Sequence, residues 1–95
     1  MGLRLLSTVG AGAGTAKQLV SISHMIKNHL FTFFVWGTFG GSTVTVEISP
    51  DGTNWFPVTG LSWTVLDVKN AEFRALQVRG VVTGGAGQSI NMEMV

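Results

Sequence analysis

Two segments of the chain, residues 42–49 and 89–95, alternate between hydrophobic and polar positions. This period of two is typical of antiparallel strands with one face buried and the other exposed. The residues placed on the buried faces are Val44, Val46, Ile48, Ile90, Met92 and Met94. We therefore predict a half-buried strand in each segment.

Residues 30–39 are hydrophobic on both faces of a predicted strand. One face carries Leu30, Phe34 and Trp36, and the other carries Phe31, Phe33, Val35 and Phe39. A strand of this kind is covered on both sides, and a chain this short has few elements of its own to supply the second cover. We therefore expect the strand to pack into the core and against a neighbouring subunit, with Phe31, Phe33 and Val35 as partner contacts.

Further strands are predicted at residues 17–26, 61–68 and 72–82. Valine, isoleucine and serine favour a strand in the first of these, although its apolar spacing also fits one face of a helix. Turn residues separate the strand segments, at residues 27–29, 40–41, 50–52, 69–70 and 83–87. Six to seven short strands with this spacing predict an all-β fold, namely a small antiparallel β-sandwich or barrel.

The first 16 residues differ from the rest of the chain. The run Gly-Ala-Gly-Ala-Gly at residues 10–14 cannot pack a core. The apolar residues before it can add a strand to their own sheet or to that of a neighbour. We expect residues 1–16 to form an extended N-terminal arm and residues 17–95 to form a single domain. The partner contacts assigned to the arm are Leu3, Leu5, Leu6 and Val9.

The composition indicates what kind of environment covers the hydrophobic surface of the chain. In a chain of 95 residues, 45% are hydrophobic and only 12% are charged, about half the usual charged fraction. The longest apolar run is interrupted by Thr32, Gly37 and Thr38, and it is far shorter than the roughly 20 residues of a membrane helix. We therefore expect the excess to be buried against other protein chains rather than in a membrane. The basic residues are scattered and the net charge is +1, which disfavours nucleic acid as a partner.

Patterns that carry catalysis or cofactor binding are incomplete in this sequence. The glycines of residues 10–14 fall one residue short of a dinucleotide fingerprint, and Lys17 is not followed by the serine or threonine of a phosphate-binding loop. His24 and His29 match no zinc spacing, and the lack of cysteine removes thiolate ligands and nucleophiles. The carboxylates show no converging pair for acid–base chemistry. We expect a protein that is not an enzyme and has no catalytic, metal or cofactor site and no small-molecule substrate.

The sequence Pro-Asp-Gly at residues 50–52 predicts a tight turn. Proline presets φ for the first central position, and the glycine takes the positive φ that closes the turn. Trp55 and Phe56 follow the turn directly, and their role stays open between core, subunit contact and ligand contact. Because Pro57 has no N–H to donate, the strand after the turn is expected to be short or to lie at an edge of its sheet.

The hairpin TVTVEISPDGTNWFPV, followed by FRALQVRGVVTGGAGQSINMEMV, resembles small virion proteins of tailed phages. In these proteins an S-P-D-G-T-x-W hairpin precedes a strand of the FRALQVRGV kind and a glycine-rich turn into a closing strand. The resemblance covers roughly residues 38–95 and is greatest to capsid decoration (cement) proteins. It implies a homo-oligomer, with a trimer favoured, that binds the major capsid protein on the surface of a virion assembled in the host cytoplasm.

Two functions follow as hypotheses. The first is a structural virion protein that decorates the capsid and stabilises the head by binding neighbouring capsid subunits. Deleting residues 1–14 is then expected to weaken capsid attachment and to leave the domain folded. The alternative is a tail, fibre or adhesion-type binding module, in which Trp55, Phe56 and Trp63 contact surface glycans.

Overall fold

Nine β-strands form the described part of the chain in a computed structural model, which describes residues 3–10, 12–13, 17–18, 30–73 and 75–95. In chain order they are β1 (Leu3–Val9), β2 (Gly12–Ala13), β3 (Lys17–Gln18), β4 (Leu30–Thr38), β5 (Thr43–Ser49), β6 (Phe56–Trp63), β7 (Asp67–Glu72), β8 (Gln77–Thr83) and β9 (Ser89–Met94). Two of these strands, β2 and β3, have only two residues each. The other seven have six to nine residues, so the predicted all-β class and number of strands are confirmed.

The strands form two antiparallel sheets. The first sheet has the order β1-β9-β4-β7, and the second has the order β2-β8-β5-β6, with β3 also paired to β8. Buried side chains from both sheets form one hydrophobic cluster, so the core lies between the sheets as in a β-sandwich.

In β4, β8 and β9 the buried residues alternate with more exposed ones, as the period of two predicted. The buried hydrophobic residues are Leu5, Leu6, Phe31, Phe33, Val35, Val44, Val46, Leu61, Trp63, Val78, Val82, Ile90, Met92 and Met94. The inward positions predicted for β9, and Val44 and Val46 of β5, are therefore confirmed, whereas Ser49 of β5, predicted on the polar face, is fully buried. Ile48 is only partly buried and packs against the edge of the cluster.

The β6–β7 connection differs from the sequence prediction. The strand predicted at residues 61–68 is wrong, because β6 ends at Trp63 and β7 begins at Asp67. The turn between them contains Val65 and Leu66, which are 65% and 68% exposed. The turn predicted at residues 69–70 is also wrong, since these residues lie within β7. Both predictions failed because Val65 and Leu66, two apolar residues in an exposed turn, continue the apolar pattern that is typical of a strand.

Within the predicted N-terminal arm, β1 belongs to the first sheet and β2 pairs with β8 in the second sheet. β1 pairs with β9 of its own chain, with Leu3 opposite Met94 and Val9 opposite Ile90. Leu5 and Leu6 are consecutive, yet both are almost fully buried. The register shifts between Arg4 and Leu6, and such a bulge turns two adjacent side chains towards the same side.

A glycine on β8 makes room for β1. A Cβ atom at Gly80 would lie 2.9 Å from Cγ of Leu6, a distance that carbon atoms do not tolerate. The hydrogen side chain of Gly80 therefore lets Leu6 pack directly on the second sheet. Residues 19–29 lie outside the described part, and with them most of the strand predicted at 17–26, the turn predicted at 27–29, His24 and His29.

Candidate functional site

The two faces of β4 have different environments. Phe31, Phe33 and Val35 are at most 2% exposed and belong to the core of the chain itself. The structure thus leaves them no free surface for a partner, which corrects their assignment as partner contacts. The opposite face of β4 is the open one. Thr32 and Thr38 lie on that face, and these polar residues are the sequence signal that distinguishes it.

The open side of the first sheet presents a set of hydrophobic residues from three neighbouring segments, which we call the outer apolar face. It consists of Leu30, Phe34 and Trp36 of β4, Val68 of β7, and Val95 after β9. Leu30, Val68 and Val95 are each about half exposed, and Phe34 is 40% exposed. Val68 lies directly opposite Phe34 across the β4–β7 pair. Contiguous apolar surface of this kind usually marks an interaction site on a small protein.

A shallow groove of about 350 Å³ runs along this face. Its lining residues are Phe34, Trp36, Glu93 and Val95. The Arg4 guanidinium borders the groove, 5.1 Å from the ring centroid of Trp36 and 3.3 Å from Oε1 of Glu93. Both charged side chains are well exposed, so the ion pair adds little stability. Its effect is to place one positive and one negative charge beside the apolar surface.

The outer strands on one side of the sandwich carry features that oppose strand addition. β7 is the edge of the first sheet. Its Lys69 pairs with buried Phe33, and the Lys69 ammonium lies 5.7 Å from the Trp63 ring centroid, so a charge points inward. β6 is the edge of the second sheet and contains Pro57 next to an irregular register. This edge position confirms the prediction made from Pro57. Inward charges, proline and bulges are features that prevent edge-to-edge pairing.

Trp55 and Phe56 lie at the start of β6, on the other sheet. The Trp55 ring is partly buried, and the Arg79 guanidinium stacks over it at 4.1 Å from the centroid. Arg79 also donates to Oε1 of Glu47 through Nε at 2.8 Å and Nη2 at 2.6 Å. The stack therefore joins β8, β5 and the residue before β6 by a charge-assisted pair and a cation–π contact. Phe56 is 55% exposed.

The turn before Trp55 is held by its own side chains. Oγ of Ser49 accepts hydrogen bonds from the N–H groups of Asp51 and Gly52, and the φ of Gly52 is +83°. Oδ1 of Asp51 accepts from the N–H groups of Thr53 and Asn54, while Oδ2 accepts from Nδ2 of Asn54. The positive φ predicted for Gly52 is confirmed. Because the Asp51 carboxylate already accepts hydrogen bonds from residues of the turn, its role is to stabilise the backbone conformation of the turn.

These contacts predict an acid-dependent stability. Hydrogen bonds from the N–H groups of Asn54 and Thr53 hold the pKa of Asp51 well below its ordinary value. A carboxyl with a lowered pKa stabilises the fold above the pKa of the unfolded chain, about 3.9, and this contribution is lost as the pH falls towards the folded-state pKa. We expect Asp51→Asn to lower the melting temperature at pH 7, and the difference from wild type to shrink below about pH 4.

Melting temperatures measured between pH 7 and pH 2 check this expectation. Asp67→Asn, which removes an exposed carboxylate from the start of β7, controls for the loss of one charge. A constant difference between Asp51→Asn and wild type over the whole range would contradict the proposed role of the carboxylate.

The predicted site residues do not come together in one place. Leu5 and Leu6 lie in the core with the inward residues of β4, and Leu3 and Val9 occupy paired positions on β1. Trp55 and Phe56 lie on the second sheet. Sequence reasoning missed Val68 and Val95, because only the pairing of strands distant in sequence brings them next to Phe34.

Compared with known proteins, the chain matches no protein-family model and no curated protein. Among the described residues, no group of three or more histidine, cysteine, aspartate or glutamate side chains is arranged to hold a metal ion. Within the same ranges, there is no helix with the length and hydropathy needed to cross a membrane.

Proposed function

We propose that this chain is a structural protein that works by binding other protein surfaces, and specifically a capsid decoration protein of a tailed phage. The observation that carries the proposal is the outer apolar face. It exposes hydrophobic side chains on a regular sheet, where packing against another protein removes them from water at about 25 cal/mol per Å². In this role the chain forms homo-oligomers and binds the major capsid protein.

The proposal that this protein binds to the capsid rests on the sequence resemblance, which covers the hairpin and the two strands after it. In the structure this segment comprises β5, the turn at residues 50–54, β6, β8 and β9. It supplies most of the second sheet and one central strand of the first. The resembling segment therefore builds the scaffold that holds β4 and its exposed side chains.

Co-sedimentation with undecorated tailed-phage capsids tests the proposal. We expect the wild-type chain to sediment with the capsids and Phe34→Glu to bind at least about tenfold more weakly, because a carboxylate at the centre of an apolar contact is desolvated without a partner. Phe56→Glu is the matched control, since Phe56 is also an exposed phenylalanine, at 55% against 40% for Phe34, and lies on the other sheet.

Equal binding by all three chains would show that the outer apolar face does not contact the capsid. Absence of binding by the wild-type chain would overturn the capsid assignment itself.

The glycan-binding alternative has less support from the geometry. Trp63, one of its three aromatic residues, is 2% exposed and belongs to the core. Arg79 covers one face of the Trp55 ring, and only Phe56 is freely exposed. A sugar platform needs an open aromatic face. A glycan-array signal that Trp55→Ala abolishes, from a chain that does not bind capsids, would favour this alternative.

A further inference from the structure

We infer that the protein surface covered by the outer apolar face is basic as well as apolar, and that one of its lysine or arginine side chains pairs with Glu72. The inference rests on the proposed function and deepens it, because it states the chemistry of the capsid surface that the face binds. Three features of the described residues support it: the position of Glu72, the charge of the face, and the contacts of Arg4.

Glu72 is the last residue of β7 and lies on the outer side of the first sheet. It is directly opposite Leu30 of β4, and both side chains are exposed. Residues directly opposite each other in an antiparallel pair project to the same face, with Cβ atoms about 4.5–5.5 Å apart. A partner that removes Leu30 from water therefore also covers the Glu72 carboxylate.

The Glu72 carboxylate lacks a charged partner in the described part of the chain, where neither ion pair involves it. Lys69 lies on the same strand but projects to the other side of the sheet, with its ammonium 5.7 Å from the Trp63 ring centroid. Covering a carboxylate that has no partner is unfavourable, because the charge loses its hydration. A partner that covers this end of the face therefore needs to supply a cation.

The charge of the outer side is negative. Among the described residues, its charged side chains are Glu72, Glu93 and Arg4, so two negative charges and one positive charge give −1. The whole chain has a net charge of +1, and the negative excess is therefore local. Since charges at physiological salt act over about 8 Å, a partner in contact responds to this local excess. A basic surface complements it, whereas an acidic surface or a second copy of the same face adds further carboxylates.

Arg4 shows how a cation is bound on this face. Its guanidinium lies 5.1 Å from the Trp36 ring centroid and donates through Nε to Oε1 of Glu93 at 3.3 Å. An apolar side chain next to a carboxylate is repeated at Leu30 and Glu72, where the described residues provide no cation. A lysine or arginine of the partner fits there, with its aliphatic stem on Leu30 and its charge at Glu72.

Co-sedimentation with undecorated tailed-phage capsids tests the inference through matched charge variants. We expect Glu72→Gln to bind at least about tenfold more weakly than wild type, because the cation of the capsid surface is then covered without its partner. Asp67→Asn is the control and is expected to bind like wild type. Asp67 lies on the same strand and loses the same charge, but it is opposite the buried Val35 and so belongs to the other side of the sheet.

Arg4→Gln tests the sign of the partner's charge. The substitution removes the positive charge from this face and leaves Glu93 without its ion pair. A basic surface is then expected to bind about two- to fivefold more tightly, the size of one exposed charge interaction. An acidic partner would reverse the effects of both Arg4→Gln and Glu72→Gln. Circular dichroism spectra and melting curves establish that each variant is folded.

Two soluble probes test the same chemistry without capsids. They are blocked tripeptides, leucine-lysine-leucine and leucine-glutamate-leucine, added to the isotope-labelled full chain at up to about 10 mM, a range that reveals weak binding by NMR. We expect the lysine peptide to shift the amide signals of Leu30 and Glu72 and to bind at least about threefold more tightly than the glutamate peptide. Glu72→Gln is expected to remove this preference.

The two experiments separate failure of the inference from failure of the proposed function. If wild type sediments with capsids, equal binding by Glu72→Gln and Asp67→Asn overturns the inference and keeps the proposed function, as does weaker binding by folded Arg4→Gln. If wild type does not sediment with capsids, the proposed function is rejected and the peptides decide the inference. A preference for the lysine peptide that requires Glu72 then supports it, and any other result, including no binding of either peptide, overturns it.

Discussion

Phe33→Ala is expected to lower the free energy of unfolding by about 3–5 kcal/mol, which is the usual loss when a buried phenylalanine is truncated. Phe33 is completely buried. Its ring centroid lies 6.2 Å from that of Trp63 on the second sheet and 6.1 Å from that of Phe73. The substitution removes the side chain that joins the two sheets at this point and leaves a cavity between them.

The adjacent residue is the matched control. Phe34 lies on the same strand but projects to the other side and is 40% exposed. Phe34→Ala is therefore expected to lower the free energy of unfolding of the monomer by about 1 kcal/mol or less. The two variants differ by one position and have the same change in chemistry, so the comparison isolates the side of the sheet that each ring occupies.

Urea denaturation at low protein concentration measures both variants, with the midpoint and slope fitted for each. If Phe34→Ala were as destabilising as Phe33→Ala, the two faces of β4 would be equally buried in the isolated chain, and the outer apolar face would not exist. The expected order also separates stability from binding, since Phe34→Ala should reduce capsid binding far more than it reduces the free energy of unfolding.

The alternation of residues was sufficient to predict β5 and β9 and most of the side chains they bury, with Ser49 as the exception. It was sufficient because each of these strands has one hydrophobic and one polar face, which leaves a single way to place them on a core. For β4 the same pattern predicted the strand but not its orientation. Both of its faces carry aromatic residues, and only Thr32 and Thr38 distinguish them. The partner contacts were consequently assigned to Phe31, Phe33 and Val35, which the structure buries in the core.

The remaining features depend on contacts between distant parts of the chain. Val68 and Phe34 are neighbours only because β7 pairs with β4, and a period-two pattern contains no information about which strands pair. Likewise, no residue type marks the register shift that turns both Leu5 and Leu6 inward. The role of Gly80 as the space for Leu6 likewise appears only when β1 and β8 are brought together.

The second large loss of stability is expected from substitutions in β1, near the N-terminus. The double substitution Leu5→Ala/Leu6→Ala is expected to lower the free energy of unfolding by about 4 kcal/mol or more, since each buried leucine typically contributes about 2–5 kcal/mol. That loss is a large share of the roughly 5–15 kcal/mol that stabilises a small domain. Removal of residues 1–14 is accordingly expected to unfold much of the protein, rather than to leave a folded domain without its arm.

Arg4→Ala, on the exposed side of the same strand, is the control and is expected to change stability by less than about 1 kcal/mol. Unchanged stability of the double-leucine variant would mean that Leu3–Val9 leaves the sheet in solution and acts as a free arm.

A double-mutant cycle between β1 and β8 distinguishes these two arrangements without removing the strand. Gly80→Ala is expected to be destabilising alone, because its Cβ would lie 2.9 Å from Cγ of Leu6 and 3.2 Å from Sδ of Met92. In the Leu6→Ala background the closest of these clashes is absent, so the same substitution is expected to be less harmful. The coupling energy should fall within about 0.5–3 kcal/mol, the range for residues in direct contact. Additive effects would place Leu6 away from Gly80, whereas coupling shows that Leu6 of β1 packs against Gly80 of β8 in solution.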